Sequence, residues 1–327
     1  MTKLLDEEPT TFEEEVQKGK WKEAMTEEHQ SIMKNDVWEI VPRPKEKSVV
    51  TSKWVYKIKH AADGSVDKYK ARFIARGFSQ KEGEDYDETF APVARYTSIR
   101  AIMSLTASMG WSLDQMDVKT TFLNGAIEKE VYIEQPQGFE VHSRDTHVCR
   151  LNKDLYGLKQ APRAWYARMD NYLTRLGFSK SHADPNLYYK VMNNAPVILL
   201  LYVYNLFQTS EESLIIQCKK ELYSKFDMKD LGLMHYYLGL EVWQKHGEVF
   251  LGQGKYAIKI LQNFGMMDCK SMDTPMTTDI RKARDSNFDP VDPSLYRQLI
   301  GSLMYLVNTR PDICFVVNTL SQFQVEP

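Results

Sequence analysis

Asp117 is the residue whose sequence context most clearly indicates a chemical function. It lies in Ser112–Val118, a run that is predicted to form a buried strand. A buried carboxylate costs free energy unless a cation or a hydrogen-bonding partner compensates for it. Asp114 lies three residues earlier, and because side chains alternate across a strand, we expect the two carboxylates on opposite faces. Asp117 is therefore a candidate cation ligand, and Asp114 is a poor replacement for it.

A second candidate site is a hairpin rich in lysine and arginine, among them Lys70 and Arg72. Apolar and polar residues alternate in KWVYKIK (53–59) and VDKYKARFIAR (66–76), and Asp63-Gly64 supplies the turn between them. Cations with aromatic residues between them suit a phosphate-bearing ligand. The pattern is about equally typical of a solvated, lysine-rich face above aromatics that pack inward, so both interpretations stay open.

Metal-binding cysteine and histidine clusters are not indicated. His142, His147 and Cys149 fall in a polar insertion, where a fourth ligand is lacking. The four cysteines are widely spaced, which favours buried thiols in a reducing compartment over a disulfide framework.

The elements that must position these residues mix helices and strands. Apolar periodicity predicts an amphipathic helix over residues 12–34, and further helices at Thr97–Met109 and between Pro162 and Gly177. Strand pairs are predicted around Asn193-Asn194 and His246-Gly247, and Ser210 is the predicted cap of the helix that follows. Without strict βαβ alternation, this order favours an α+β fold with an antiparallel sheet.

The net charge of -2 hides a segregation along the chain. Residues 1–42 hold 11 acids and 5 bases, whereas residues 43–82 hold 11 bases and 4 acids. The longest apolar run, Val197–Tyr204, has 8 residues, far fewer than the roughly 20 that a membrane-spanning helix needs. The acidic start of the chain lacks the apolar core of a signal peptide. We expect an intracellular protein, in the cytoplasm or nucleus, with no membrane partner.

Several long motifs are more specific than any of these patterns. They are YKARFIARGFSQKEGEDYDETFAPVAR (69–95), QMDVKTTFLNG (115–125), EVYIEQPQGFE (130–140), LYGLKQAPRAWY (155–166) and YRQLIGSLMYLVNTRPDI (296–313). In this order they resemble the reverse transcriptase region of copia-type retrotransposon Pol polyproteins. The resemblance covers about residues 10 to 320.

The resemblance implies a right-hand polymerase with fingers, a palm built on an antiparallel sheet backed by helices, and a thumb. Its expected parts are an N-terminal helix (1–36), fingers (37–96), palm with interspersed fingers elements (97–245), thumb (246–275) and the start of a helical connection (276–327). The family's ribonuclease H portion would follow this connection, so we expect the chain to be a fragment of a polyprotein.

The resemblance also implies roles for individual residues. Lys70 and Arg72 would hold the triphosphate of the incoming deoxynucleotide, and Phe122 would crowd the sugar 2′-position. Lys159 and Arg163 would contact the phosphates of an RNA template and DNA primer. The cofactor would be a pair of Mg²⁺ ions, and Asp117 would be the first of three metal-binding aspartates.

The other two aspartates are absent. The family's Tyr-Val-Asp-Asp motif reads Tyr-Val-Tyr-Asn here, with Tyr204 and Asn205 at the aspartate positions. Each change is one base from an Asp codon, which is expected of a degenerate copy, and selection for an inactive product would look the same. We expect two-metal catalysis to be lost and magnesium binding to be weak. The alternatives are a non-catalytic nucleic-acid-binding remnant and a pseudogene product without a selected role.

Overall fold

The computed structural model describes residues 19–60, 65–276 and 291–325. The first helix, α1, runs from Gly19 to Lys34, and the rest of its predicted range lies outside the described residues. The other α-helices are α2 Tyr96–Met109, α3 Ala161–Arg175, α4 Glu212–Tyr223, α5 Gly254–Asn263, α6 Pro293–Leu306 and α7 Cys314–Leu320. In the described ranges, every helix is too short or too polar to cross a membrane.

Strands make up most of the middle of the chain. Their bounds are β1 Trp38–Pro42, β2 Val49–Val50, β3 Ser52–His60, β4 Val66–Ala75, β5 Ser112–Val118, β6 Tyr132–Ile133, β7 His147–Leu151, β8 Ser179–Lys180, β9 Leu187–Met192, β10 Ala195–Tyr202, β11 Asn205–Ser210, β12 Met228–Leu233, β13 Tyr236–Tyr237, β14 Leu240–Lys245 and β15 Glu248–Gly252. The largest sheet has the order β12-β5-β11-β10-β9-β8, and smaller sheets have the orders β1-β7-β6-β2, β13-β14-β15 and β3-β4.

The hairpins form as their sequences predict. β3 and β4 pair antiparallel with Trp54 opposite Phe73, and the predicted turn Asp63-Gly64 lies outside the described residues. β9 and β10 are joined by Asn193-Asn194, whose φ angles of 48° and 67° are those that a two-residue type I′ loop requires. The mixture of helices and strands agrees with the predicted α+β class, as do the antiparallel hairpins, although β2 pairs with β6 in parallel.

The chain divides into two compact units. One comprises the chain up to Ile102 together with Asp114–Leu231, and the other comprises Met103–Leu113 with the chain from Gly232. The first unit contains the basic hairpin, Asp117 and the β10–β11 turn. The finer boundaries predicted for fingers, palm, thumb and connection stay predictions.

A first hydrophobic core lies beneath the β3–β4 hairpin. Trp21 and Met25 of α1 pack against Trp54, Tyr56 and Phe73, all of them buried. Full burial of one such side chain stabilises the fold by about 1.5 to 3 kcal/mol. Since the aromatic residues face this core, the lysines that alternate with them in β3 face solvent.

A second hydrophobic core lies between the largest sheet and the helices α3 and α4. It contains Met116 and Val118 of β5, Leu199 of β10, Trp165 of α3 and Leu214 of α4. The helices cover one face of the sheet, and this burial fixes which side chains of β5 point away from it.

The predicted helix cap at Ser210 is wrong. Ser210 is the last residue of β11, and its hydroxyl donates to the carbonyl of Pro196, 2.9 Å away. Glu211 is the N-cap of α4, and its side chain makes no capping hydrogen bond. The Ser210 hydroxyl therefore bonds across the β10–β11 pair instead of capping α4.

Candidate active site

Asp117 is half-buried on β5. Its neighbours Met116 and Val118 face the second core, so residue 117 points from the opposite face of the sheet. Asp114 lies on the helix-covered side, where its Oδ2 is 2.5 Å from Nζ of Lys219 in α4. The structure thus separates the two carboxylates as strand alternation predicts.

The turn between β10 and β11 lies beside Asp117. Tyr202 pairs with Asn205 across the hairpin, which leaves a two-residue turn. The backbone N–H of Val118 donates to the carbonyl of Tyr204, with an N···O distance of 2.9 Å. The two positions where the resemblance predicts aspartates, Tyr204 and Asn205, are therefore held next to the end of β5.

The backbone of this turn is strained, and a hydrogen bond from α3 holds it in place. Val203 has φ of 52°, a left-handed conformation that is unfavourable for a β-branched residue. The indole N–H of Trp165 donates to the Val203 carbonyl at 2.6 Å. Trp165 is almost fully buried in α3, so the helix behind the sheet fixes the turn.

The side chains of this turn do not fit a pair of magnesium ions. The amide nitrogen Nε2 of Gln115 donates to Oδ1 of Asn205 at 2.7 Å. The one oxygen of Asn205 that could bind a metal therefore already accepts a hydrogen bond. Tyr204 is 48% exposed and offers a phenol instead of a carboxylate. Magnesium takes near-octahedral oxygen ligands, usually including carboxylates. In the described parts of the chain, no three His, Cys, Asp or Glu side chains are placed to hold a metal ion.

Cations from two segments act on Asp117. Burial raises the pKa of Asp117 above its usual value, and this is opposed by the positive charges of Lys70, Lys229, Arg72 and Lys59. Burial lowers the pKa of Lys70, and the charges of Arg72 and Lys59 lower it further. The predicted nucleotide residues Lys70 and Arg72 therefore lie within electrostatic reach of Asp117.

Arg72 is held by residues that the sequence did not single out. Its guanidinium forms an ion pair with Glu28 of α1, which is 5% exposed. The same guanidinium lies over the ring of Tyr156, 4.9 Å from the centroid, and Tyr156 meets the edge of Phe122 at 5.0 Å. Burial raises the pKa of Glu28, and the charge of Arg72 opposes this rise. Arg72 and Phe122 thus share one aromatic neighbour.

Lys159 and Arg163 form a second group at the start of α3. Nζ of Lys159 donates to the hydroxyl of Tyr86 at 3.0 Å, and the guanidinium of Arg163 donates to the carbonyl of Phe90 at 3.3 Å. Tyr86, Phe90 and Arg163 line a cavity of about 320 Å³. Arg163 thus lines this cavity, and Lys159 hydrogen-bonds to Tyr86, one of its lining residues.

Sequence reasoning assigned no place near Arg72 or Asp117 to four residues, namely Glu28, Tyr156, Lys59 and Lys229. Lys59 belongs to the basic hairpin and was within reach of the pattern. The other three come from separate segments, and only tertiary folding brings them near Arg72 or Asp117. A local pattern carries no signal for such pairs.

The histidine and cysteine insertion does not form a metal site. The rings of His142 and His147 are 4.4 Å apart, but Cys149 is fully buried in the first core. Burial raises the pKa of the Cys149 thiol to about 12. A thiol this hard to ionise is a poor metal ligand.

Comparisons with known proteins agree with the motifs. A family model described as reverse transcriptase (RNA-dependent DNA polymerase) matches residues 35–278. The chain belongs to this reverse transcriptase family, as found in the Pol polyproteins of transposons. The predicted resemblance to a retrotransposon reverse transcriptase is confirmed.

Two plant relatives extend the similarity over almost the whole chain. The retrovirus-related Pol polyprotein from transposon TNT 1-94 of Nicotiana tabacum is 40% identical over 98% of this chain and 25% of its own length. That from transposon RE1 of Arabidopsis thaliana is 37% identical over 98% of this chain and 22% of its own length. The chain thus spans about a quarter of these relatives.

A solved structure of a foamy viral protease-reverse transcriptase in complex with double-stranded DNA is also similar. It has a TM-score of 0.44 and 12% sequence identity, over 93% of this chain and 48% of that chain.

Proposed function

We propose that this chain is a reverse transcriptase region that keeps surfaces for nucleic acid and nucleotide but has lost two-metal phosphoryl transfer. Template-directed synthesis needs carboxylates that hold two divalent cations at the primer end. One observation carries the proposal. Tyr204 and Asn205 stand at the aspartate positions beside Asp117, and the Asn205 oxygen already accepts a hydrogen bond from Gln115.

In this proposal the β3–β4 hairpin corresponds to fingers and the largest sheet to the palm. Lys70 and Arg72 would bind the triphosphate, Phe122 would select the sugar, and Lys159 and Arg163 would bind phosphates of template and primer. When bound, magnesium would activate the primer hydroxyl and steady the triphosphate, and the residues present are a poor match to that task. The same surfaces can bind nucleic acid without any reaction.

Primer extension tests the loss of catalysis. The full chain is incubated with an RNA template, a DNA primer, deoxynucleotides and Mg²⁺, beside the double variant Tyr204→Asp, Asn205→Asp. We expect no extension by the unmodified chain and extension by the double variant. Robust synthesis by the unmodified chain would contradict the proposal, and an inactive but folded double variant would show that these two positions are not the sole defect.

Salt dependence tests the retained binding surface. A labelled RNA–DNA hybrid is titrated with the chain at several salt concentrations, and the slope of log K against log salt is measured. Each neutralised phosphate contributes a slope of about -0.9 on a B-form duplex, so the double variant Lys159→Gln, Arg163→Gln should flatten it by about 2. Arg175→Gln is a matched control, since it lies at the far end of the same helix, about 18 Å from Arg163. A hybrid affinity that ignores salt would count against the binding surface.

A further inference from the structure

A cavity with a positively charged wall lies beside α3 and has a volume of about 370 Å³. α3 lines it with Arg168, Asn171 and Arg175, which are spaced by three and four residues and so share one face of the helix. The chain just after α4 adds Lys225 and Phe226 to the wall. All of these residues belong to the first compact unit, so the cavity is formed within it.

The charges that line this cavity are not balanced by the protein. Its lining includes three cations, Arg168, Arg175 and Lys225, and one acid, Glu128, for a net formal charge of +2. In the part of the chain that the structure describes, the side chains of these cations form no ion pair and no hydrogen bond. Like charges around one cavity repel each other, and a bound anion would offset that repulsion.

Arg168 is the cation that the fold holds in place. Its guanidinium lies over the ring of Phe226, 5.9 Å from the centroid, and Phe226 is a buried residue of the second core. The Nε atom of Arg168 is buried and has no hydrogen-bond partner among the described residues. A buried donor without a partner costs free energy. Packing thus fixes a guanidinium whose donors no other residue uses, and a guanidinium matches the oxygens of phosphate.

We propose that Arg168, Arg175 and Lys225 form a binding site for a phosphate group. A phosphate monoester carries a charge of roughly -1.5 to -2 at pH 7. The net charge of the cavity lining, +2, matches this charge. Free inorganic phosphate and the monoester of a nucleotide share this chemistry. The site does not depend on the proposed function, because neither a metal nor a template takes part in it.

The cavity adjoins the one that Arg163 lines, and both are lined by Ala126, Glu128, Ala164 and Ala167. No cation lines both cavities. Phe226 belongs to the core on the helix-covered side of the largest sheet, whereas Asp117 points from the other side. We therefore expect a template and primer beside Asp117 to leave the phosphate site free, as the Arg175→Gln control for hybrid binding requires.

Phosphorus NMR of the ligand measures binding to the full chain. Inorganic phosphate and, separately, dTMP are titrated at neutral pH and low salt, and the line width of the phosphorus signal is followed. We expect saturable broadening with inorganic phosphate. Equal affinity for the two probes assigns the site to the phosphate group alone, and tighter binding of dTMP assigns it to nucleotide monoesters. Both results uphold the site.

Four variants make the test specific. Arg168→Gln should weaken phosphate binding by about tenfold or more, the usual effect of losing hydrogen bonds from a charged group. Lys225→Gln should weaken it by about threefold, since Lys225 is exposed. Lys220→Gln removes the same charge from an exposed position outside the cavity and should leave the affinity unchanged. Glu128→Gln removes the acid from the cavity lining and should tighten binding.

Urea unfolding of each variant without phosphate shows whether it is folded, and Lys225→Gln decides the test if Arg168→Gln is not. The proposal is overturned if the unmodified chain shows no saturable binding, or if Lys225→Gln and Lys220→Gln bind equally well. Displacement of phosphate by an RNA–DNA hybrid would also overturn it, because the cavity would then belong to the template–primer surface. The proposed function fails on a different result, primer extension by the unmodified chain, so the two failures can be told apart.

Discussion

Asp154 is an acidic residue that the fold buries, and its carboxyl group has no partner among the described residues. Its side chain is 0% exposed, and neither carboxylate oxygen has a hydrogen-bond partner in the described structure. Burial and the negative charge of Glu128 raise the pKa of Asp154 from 3.8 to about 7. Gly125 makes room for the carboxylate, because a Cβ at that position would lie 2.6 Å from Oδ2. The neutral acid fits this site, and the ion does not.

Replacement of Asp154 by alanine should therefore stabilise the protein in a pH-dependent way. The folded protein holds the proton more tightly than the unfolded chain, so the free energy of unfolding falls as the pH rises from about 4 to about 7. The whole shift of about 3 units corresponds to roughly 4 kcal/mol. About two of these units lie between pH 5 and pH 7, so the unmodified chain loses about 2 to 3 kcal/mol of unfolding free energy over that range because of Asp154. Asp154→Ala does not have this loss. Its stability relative to the unmodified chain should therefore be about 2 to 3 kcal/mol higher at pH 8 than at pH 5.

Urea unfolding of the unmodified chain and of Asp154→Ala at pH 5 and pH 8 measures this difference. Comparison of the two proteins at each pH cancels the groups that titrate in both. Asp145→Ala, which removes the same charge from an exposed loop, should change the free energy of unfolding by less than about 0.5 kcal/mol at either pH. An equal gain at both pH values, or a loss at pH 8, would refute the reasoning.

Other changes test the packing around the candidate site. Glu28→Gln should lower the free energy of unfolding by about 1 to 3 kcal/mol in urea, because Arg72 loses a buried ionic partner, and no loss would mean that the pair is dispensable. Val203→Gly should raise the free energy of unfolding by up to about 1 kcal/mol in the same assay, since glycine adopts a φ of 52° without strain. A lower free energy of unfolding in this variant would contradict strain at the turn. A thiol reagent at pH 8 should modify exposed Cys269 and spare buried Cys149 until urea unfolds the chain, as mass spectrometry of labelled peptides would show.

Local patterns predict the elements of this fold well, because each depends on neighbours in the chain. Alternation marks β3 and β4, and Asn193-Asn194 marks a turn whose φ angles only a few residue types accept. Alternation also places Asp114 and Asp117 on opposite faces of β5. The wrong cap at Ser210 arises because a hydroxyl at the end of a strand can bond across the sheet as well as to the next helix.

The environment of the site could not be predicted in the same way. Glu28 and Arg72 are 44 positions apart, and their pairing requires that α1 pack on the hairpin. The unpartnered Asp154 is also invisible in the sequence, because its cost depends on burial by residues of other segments. Motif resemblance predicts which residues have roles, whereas tertiary contacts decide which charges are compensated.

If the proposed function is right, the same separation explains how this fold can persist without the aspartate pair at the β10–β11 turn. The second core is built from residues such as Met116, Leu199 and Trp165, whose side chains are buried, and it does not include Tyr204 or Asn205. Tyr204 is half-exposed at the tip of a hairpin, and Asn205 replaces one hydrogen-bonding group by another that Gln115 satisfies. In the proposed function, substitutions at these positions would remove metal ligands without opening a cavity, and they would relieve the repulsion between neighbouring acids when no metal is bound. Stability therefore gives no protection to an aspartate pair at this turn, and an intact sheet is no evidence of an active polymerase.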